Sequence, residues 1–243
     1  SEKWPRQRFW TIRARHIILA SGALERHVAF NNNDIPGIMT VNASRQYLNR
    51  YGVLTGKNIV IATNNDSVYE TAKELYEAGS KITILDSRKK INIDLPQGIN
   101  HHLNTLPFNI NGRKKIDSLD VCQSSDLNNK NTIICDQVLI SAGWSPIVNL
   151  VSHRGIKPVW NKDNLCFVPG EIKENITVVG SAKGIWDSEQ CVESGLIGAS
   201  EVFNKLGIQK KEISFPSVGG WSNPIEPLFE VKSKKFPSKS FVD

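Results

Sequence analysis

Two strand-like segments of the sequence end in runs of small residues. Residues 17–19 read Ile-Ile-Leu and residues 176–179 read Ile-Thr-Val-Val, and each run leads directly into a turn. The small residues of these turns are Ala20, Ser21, Gly22 and Ala23 after the first run, and Gly180, Ser181, Ala182 and Gly184 after the second. Small side chains let a backbone approach phosphate groups closely, and backbone N–H groups at such turns bind anions. Because a similar turn, residues 141–143, follows a third apolar run, we predict that such turns border a dinucleotide.

A β-α-β unit lies between these turns, but its own nucleotide fingerprint is missing. Residues 58–62 and 81–85 are apolar runs, and residues 68–78 between them have helical spacing. The three glycine positions of the G-x-G-x-x-G fingerprint are taken here by Thr63, Asn65 and Val68. Two interpretations remain open. The unit is a scaffold without a nucleotide, or its helix N-terminus binds another polar ligand, an anion being opposed by the charge of Asp66. The candidate ligand groups are the side chains of Thr63, Asn64, Asn65 and Ser67.

The remaining polar residues do not form a pattern typical of a catalytic or metal site. Asp86 occupies the position at which an acidic residue holds a ribose, but without the glycines we expect a solvated carboxylate at a strand end. No His, Cys or carboxylate group has metal-ligand spacing. Ser181 directly follows its glycine and so does not fit a nucleophile elbow. We predict no catalytic residue and no metal site in this chain.

The order of the elements predicts how the chain is divided. We expect an α/β fold in which a three-layer, Rossmann-like dinucleotide-binding domain is inserted in part of a second dinucleotide-binding domain. The inserted domain is predicted at 54–164, and the outer one at 1–53 together with 165–213. Residues 160–170 are expected to form a loop. Residues 214–243 are rich in Pro and Lys and are predicted to form a linker or an extended arm.

The distribution of charge and the spacing of the cysteines indicate which partners and which cellular compartment to expect. The 243 residues carry 30 Lys and Arg against 24 Asp and Glu, a net charge of +6. Eight of the basic and three of the acidic residues lie in residues 1–56, so the charge forms no stripe along the chain, and we predict no nucleic-acid partner. No apolar run approaches 18 residues, and we predict no membrane span. The four cysteines form no C-x-x-C pair, which favours reduced thiols and a cytoplasmic protein.

Several phrases of the sequence resemble one enzyme family. These segments are 14–26, 30–39, 47–53, 63–72, 136–146, 166–171 and 178–184. Their sequences resemble the alpha chains of heterotetrameric sarcosine oxidases, and the order of the elements is similar to that of the disulfide-reductase-like flavoproteins. His27 departs from the proline that the resemblance implies after Glu-Arg.

The resemblance implies an activity, cofactors and partners. Enzymes of this family oxidise sarcosine with oxygen and tetrahydrofolate to glycine, 5,10-methylenetetrahydrofolate and hydrogen peroxide. The alpha subunit would hold NAD, bordered by residues 20–23 and 180–184. FAD would lie in the beta subunit, and FMN would lie where alpha and beta meet. Asn64–Ser67 are candidates for residues that border the FMN. Gamma and delta subunits complete the complex. The chain would be an internal piece that leads into a folate-binding domain.

Two other classes of protein remain open. One is a component of another FAD- and NAD-type dehydrogenase acting on amines, opines or glycine, similar to hydrogen cyanide synthase. The other is a nucleotide-binding scaffold without catalysis.

Overall fold

The computed structural model describes residues 7–172, 175–208, 224–232 and 240–241. The helices are α1 (Val41–Tyr51), α2 (Val68–Glu77), α3 (Asn149–Ser152) and α4 (Ser188–Leu206). The first seven strands are β1 (Ile17–Leu19), β2 (Ala23–Glu25), β3 (Ile38–Thr40), β4 (Asn58–Thr63), β5 (Lys81–Asp86), β6 (Asn100–Leu103) and β7 (Thr105–Gly112). The others are β8 (Ile116–Gln123), β9 (Asp126–Ile134), β10 (Gln137–Ser141), β11 (Trp144–Pro146), β12 (Val159–Asn161), β13 (Cys166–Val168) and β14 (Ile176–Val178).

A five-stranded parallel sheet, ordered β3-β10-β4-β5-β6, forms the centre of the largest unit. The three inner strands β10, β4 and β5 are largely apolar because both faces are covered, whereas the edge strand β6 reads Asn-His-His-Leu and has no buried residue. Ile59 and Ile61 of β4 pack with α1 and α2 on one face, while Val60 packs against the antiparallel sheet β7-β8-β9 on the other. These three layers confirm the predicted α/β, Rossmann-like fold.

The strand pairing differs from the predicted domain boundary at 53/54. β3 pairs in parallel with β10, and Val41 of α1 is buried in the same cluster as Ile59 and Leu139. Residues 38–51 therefore pack with the sheet of 54–164, although the sequence assigned them to the outer domain. A three-residue strand carries too little periodicity to show where it pairs.

A second, smaller group of elements surrounds the parallel pair β1 and β14. Val151 and Ile156 pack with Ile176 and Val178 of β14 in a core of their own. Strand β2 pairs antiparallel with β11, and β12 pairs antiparallel with β13. This last hairpin lies at 159–168, so the loop predicted at 160–170 was wrong. The rings of Trp160 and Phe167 pack edge to face across this hairpin, with their centroids 5.1 Å apart, and this cross-strand pair stabilises it.

The part of the predicted linker or arm that the structure describes packs against the body of the protein. Leu228 and Val231 are buried in the core below the parallel sheet, together with Val28 and Phe30. The remaining residues of 214–243 lie outside the described ranges, apart from 240–241 and the other residues of 224–232.

Helix α4 lies close to β14 because one of its residues is glycine. A Cβ on Gly198 would lie 2.6 Å from Cγ1 of Val179 and 3.2 Å from Cγ2 of Thr177. The same helix carries Gly195, whose Cβ would meet nothing within 4 Å. Gly198 is therefore required for close packing, whereas Gly195 only destabilises the helix as any glycine does.

We predict opposite effects for alanine at these two positions. Gly198→Ala should lower the free energy of unfolding by about 1–3 kcal/mol, because Val179 is β-branched and cannot easily yield. Gly195→Ala should raise it by about 0.5–1 kcal/mol, since alanine favours a helix interior. Urea denaturation of both variants measures the difference, and equal effects at the two positions would contradict the packing argument.

Candidate functional site

The two predicted dinucleotide turns lie side by side. β1 and β14 are parallel and in register from Ile17 and Ile176 to Leu19 and Val178, so both chains leave the pair at the same edge. Gly22 and Gly180 have φ values of 77° and 64°, which other residues rarely adopt. A Cβ on Gly22 would lie 3.9 Å from Oγ of Ser181. The pairing thus brings the two turns to one edge, although Ala182 is fully buried. The turns carry the small residues that the sequence predicted, namely Ala20, Ser21, Gly22, Ala23, Gly180, Ser181, Ala182 and Gly184.

Part of the polar capacity of these turns is used within the chain. The Gly180 N–H donates to Oγ of Ser194 at 3.2 Å, and the Gly184 N–H donates to the carbonyl of Ser181 at 3.0 Å. Ser21 Oγ donates to the carbonyl of Ile147 at 3.2 Å. These bonds hold the turns in position. A ligand could approach the backbone of the turns closely, but it would meet no charged side chain among their small residues.

The polar turn after β4 is bonded to its own chain. Thr63, Asn64 and Asn65 are fully buried. Nδ2 of Asn65 donates to the carbonyl of Ser141 at 3.1 Å, and its Oδ1 accepts from the N–H of Ser67 at 3.0 Å. Oγ of Ser67 donates to the same Oδ1 at 2.6 Å.

These bonds fill the places that a ligand of the polar turn would use. The Asn65 side chain ties the end of β4 to the end of β10, and the hydroxyl of Thr63 donates to the Asn65 carbonyl at 3.0 Å. The sequence left open a polar-ligand site at Thr63, Asn64, Asn65 and Ser67. In the structure these side chains are already hydrogen-bonded to other groups of the chain.

Asp86 is buried and paired, so the prediction of a solvated carboxylate was wrong. Both of its oxygens accept from the guanidinium of Arg88, with Nη2 at 2.8 Å from Oδ2 and Nε at 3.0 Å from Oδ1. Nη1 of Arg88 reaches Asp66 at 2.8 Å. Asp86, Asp66 and Arg88 are at least nine-tenths buried. The Asp-x-Arg spacing at the end of a buried strand could have indicated this ion pair, because it lets the two side chains meet.

Tyr69 of α2 completes this network. Its hydroxyl donates to Oδ2 of Asp86 at 2.5 Å and lies 3.2 Å from Nε2 of His101. Burial, together with the negative charge of Asp86, raises the pKa of Tyr69 above its ordinary value. Burial by itself would lower the pKa of Arg88, but the two carboxylates raise it. The oxygens of Asp86 are therefore occupied by protein donors.

Other reactive side chains do not gather into a site. The four cysteines are free thiols, as the sequence predicts, and burial raises the pKa of Cys122 to about 11 and that of Cys135 to about 12. Within the described ranges no group of three His, Cys, Asp or Glu side chains could hold a metal ion. No helix in the same ranges is both long and apolar enough to cross a membrane.

We predict that the Tyr69 hydroxyl stabilises the protein through Asp86. Tyr69→Phe should lower the free energy of unfolding by about 1.5–3 kcal/mol, the range for a hydrogen bond to a charged group. Tyr51→Phe is the matched control, because the Tyr51 side chain is largely exposed. It should change the value by less than about 0.5 kcal/mol in urea denaturation. Equal losses in the two variants would contradict the role given to Asp86.

Comparison with curated proteins finds relatives along almost the whole chain. The sarcosine oxidase alpha chain from Rhizobium meliloti (strain 1021) is 34% identical over 244 residues, which cover 98% of this chain and 24% of the relative. The corresponding chain from Corynebacterium sp. (strain U-96) is 30% identical over 84% of this chain and 22% of its own length. A component of the Rhizobium meliloti opine oxidase is 23% identical over 96% of this chain and 48% of the relative. No family model matches.

Solved structures share the fold at low sequence identity. L-proline dehydrogenase from P. horikoshii superposes with a TM-score of 0.60 at 21% identity, over 82% of this chain and 36% of that one. Thioredoxin reductase from T. acidophilum gives a TM-score of 0.63 at 14% identity, over 79% and 66% of the two chains. The chain spans about a quarter of the length of the curated sarcosine oxidase chains it matches. The predicted resemblance is thereby confirmed: over most of its length, this chain is similar to the alpha chains of sarcosine oxidases.

Proposed function

We propose that this chain is part of the alpha subunit of a sarcosine-oxidase-type oxidoreductase, and that its turns at 20–23 and 180–184 support a bound NAD. The observation that carries the proposal is the pairing of β1 with β14, which places both small-residue turns at one edge. The relatives named as sarcosine oxidase alpha chains support the choice of reaction. Small residues at such turns let backbone N–H groups come close to the pyrophosphate of a dinucleotide.

In this proposal the chain binds and orients, while the oxidation takes place elsewhere in the complex. Sarcosine would be oxidised at FAD in a beta subunit, with tetrahydrofolate and oxygen as the other substrates. FMN would lie at the junction of alpha and beta, and gamma and delta subunits would complete a cytoplasmic heterotetramer. We do not assign FMN to Asn64–Ser67, because the Asn65 and Ser67 side chains are bonded to their own chain.

Release of the bound ligands tests the proposal directly. The native complex should be denatured, and the released small molecules identified by mass and absorbance. NAD together with flavin is the expected result. An intact complex that carries no nucleotide would contradict the proposal.

We predict that the NAD affinity depends on Gly22. Gly22→Ala places a side chain at a φ of 77°, which costs about 1–2 kcal/mol and distorts the turn. The dissociation constant for NAD should rise about tenfold, measured by titration of the nucleotide-free complex.

Gly52→Ala provides the matched control for this substitution. Gly52 ends α1 at a φ of 65° and has open space around its Cβ position, so the backbone strain is similar. It lies outside the proposed site, and the NAD affinity should not change. Equal losses of affinity in both variants would show that strain, rather than position, is responsible.

The match to the opine oxidase component supports a second candidate function, oxidation of an opine by a related complex. Steady-state oxidation assays with sarcosine and with an opine separate the two candidates. Our proposal expects the higher kcat/KM with sarcosine.

A further inference from the structure

The parallel sheet has one place where a nucleotide would be expected. In α/β sheets, ligands bind outside the carboxyl ends of the strands, where the chain order of the strands reverses. Here that crevice lies between β4 and β10, which are neighbours in the sheet. It is bordered by the turn at 63–67 and by Gly143, which has a φ of 92°. This crevice lies between other strands than the paired turns after β1 and β14.

Residues 224–226 of the same chain lie across this crevice. The Glu226 N–H donates to the Asn64 carbonyl at 3.2 Å, and Nδ2 of Asn64 donates to the Glu226 carbonyl. Nη1 of Arg88 donates to the Pro224 carbonyl at 3.2 Å. Cδ1 of Ile225 lies only 2.4 Å from where a Cβ on Gly143 would be, so the glycine here admits a protein side chain.

The residues that follow fix this segment to the body of the protein. Leu228 and Val231 are buried in the hydrophobic core. The Ala29 N–H donates to the Phe229 carbonyl at 2.9 Å, and the Val231 N–H donates to the Ala29 carbonyl at 2.8 Å. The guanidinium of Arg26 lies over the Phe229 ring at 5.2 Å. Backbone pairing, apolar burial and a cation–π contact thus act on the same short segment.

We propose that residues 224–232 are the permanent occupant of this crevice, which binds the protein's own chain in place of a dinucleotide. Two groups that could donate to a pyrophosphate, Nδ2 of Asn64 and Nη1 of Arg88, donate to the backbone carbonyls of Glu226 and Pro224 instead. Asp66 and Asp86 both pair with the single Arg88 that also bonds Pro224, so these three side chains keep a net charge of −1, which would repel phosphate. The β4–α2–β5 unit therefore holds residues 224–232, and we call this contact the clasp.

Hydrogen exchange of the complete protein tests the clasp. Peptides covering 224–232 should be protected in the native protein. Their exchange should not change on saturation with NAD, NADP or FMN. Nucleotide-induced acceleration of exchange in this segment would overturn the proposal, since it would mean that a nucleotide displaces the segment.

Two variants make the test specific. Leu228→Ser should accelerate exchange of the segment at least tenfold, because it removes a buried anchor. Asn64→Ala removes the side-chain donor to Glu226, together with the Oδ1 that accepts from Nδ2 of Asn65, and should accelerate exchange near 226, even if Leu228→Ser fails to fold. Lys232→Ala is the control, because its exposed ammonium pairs only locally with Glu230, and exchange should match the native protein.

Native-like protection in both Leu228→Ser and Asn64→Ala would overturn the clasp. The readout is exchange rather than activity, so it does not depend on whether NAD binds at the turns after β1 and β14. Failure of the proposed function would appear as a nucleotide-free complex and would leave these exchange results interpretable.

Discussion

The buried guanidinium of Arg88 is the interaction on which the described arrangement depends most. One side chain joins the end of β5 through Asp86, the turn after β4 through Asp66, and the later chain through the carbonyl of Pro224. Removing one partner of such a buried ion pair typically costs about 3–5 kcal/mol, because the other charge remains desolvated. The polar groups at the carboxyl edge of the sheet are consequently occupied by one another, whereas a nucleotide-binding unit would leave them available to its ligand.

The two edges of the molecule differ in their chemistry. At the end of β4 the turn is polar, buried and saturated with internal hydrogen bonds, and Asn65 links it to Ser141. At the ends of β1 and β14 the turns carry small residues, and the Ala20 side of the pair is exposed. The first edge therefore stabilises the chain, and the second is the one suited to close approach by a ligand.

Strong periodicity made the parallel sheet predictable, while contacts between distant residues did not show in the sequence. The β4–α2–β5 unit follows from its apolar runs and helical spacing, and the N-caps Thr40 and Asp187 behave as their residue types suggest. The burial of Asp86 was missed because Tyr69 of α2 and Asp66 of the turn after β4 must meet the Asp86–Arg88 pair at the end of β5. Residues 224–232 resemble a linker in composition, since only Leu228 and Val231 enter the core and they meet residues from far earlier in the chain.

A structure of the complete protein with NAD bound would show which edge of the molecule binds the nucleotide. We predict nucleotide density against Ala20–Ala23 and Gly180–Gly184, with the Pro224 carbonyl still accepting from Arg88. Nucleotide density between the turn at 63–67 and Gly143, with residues 224–226 displaced, would contradict it.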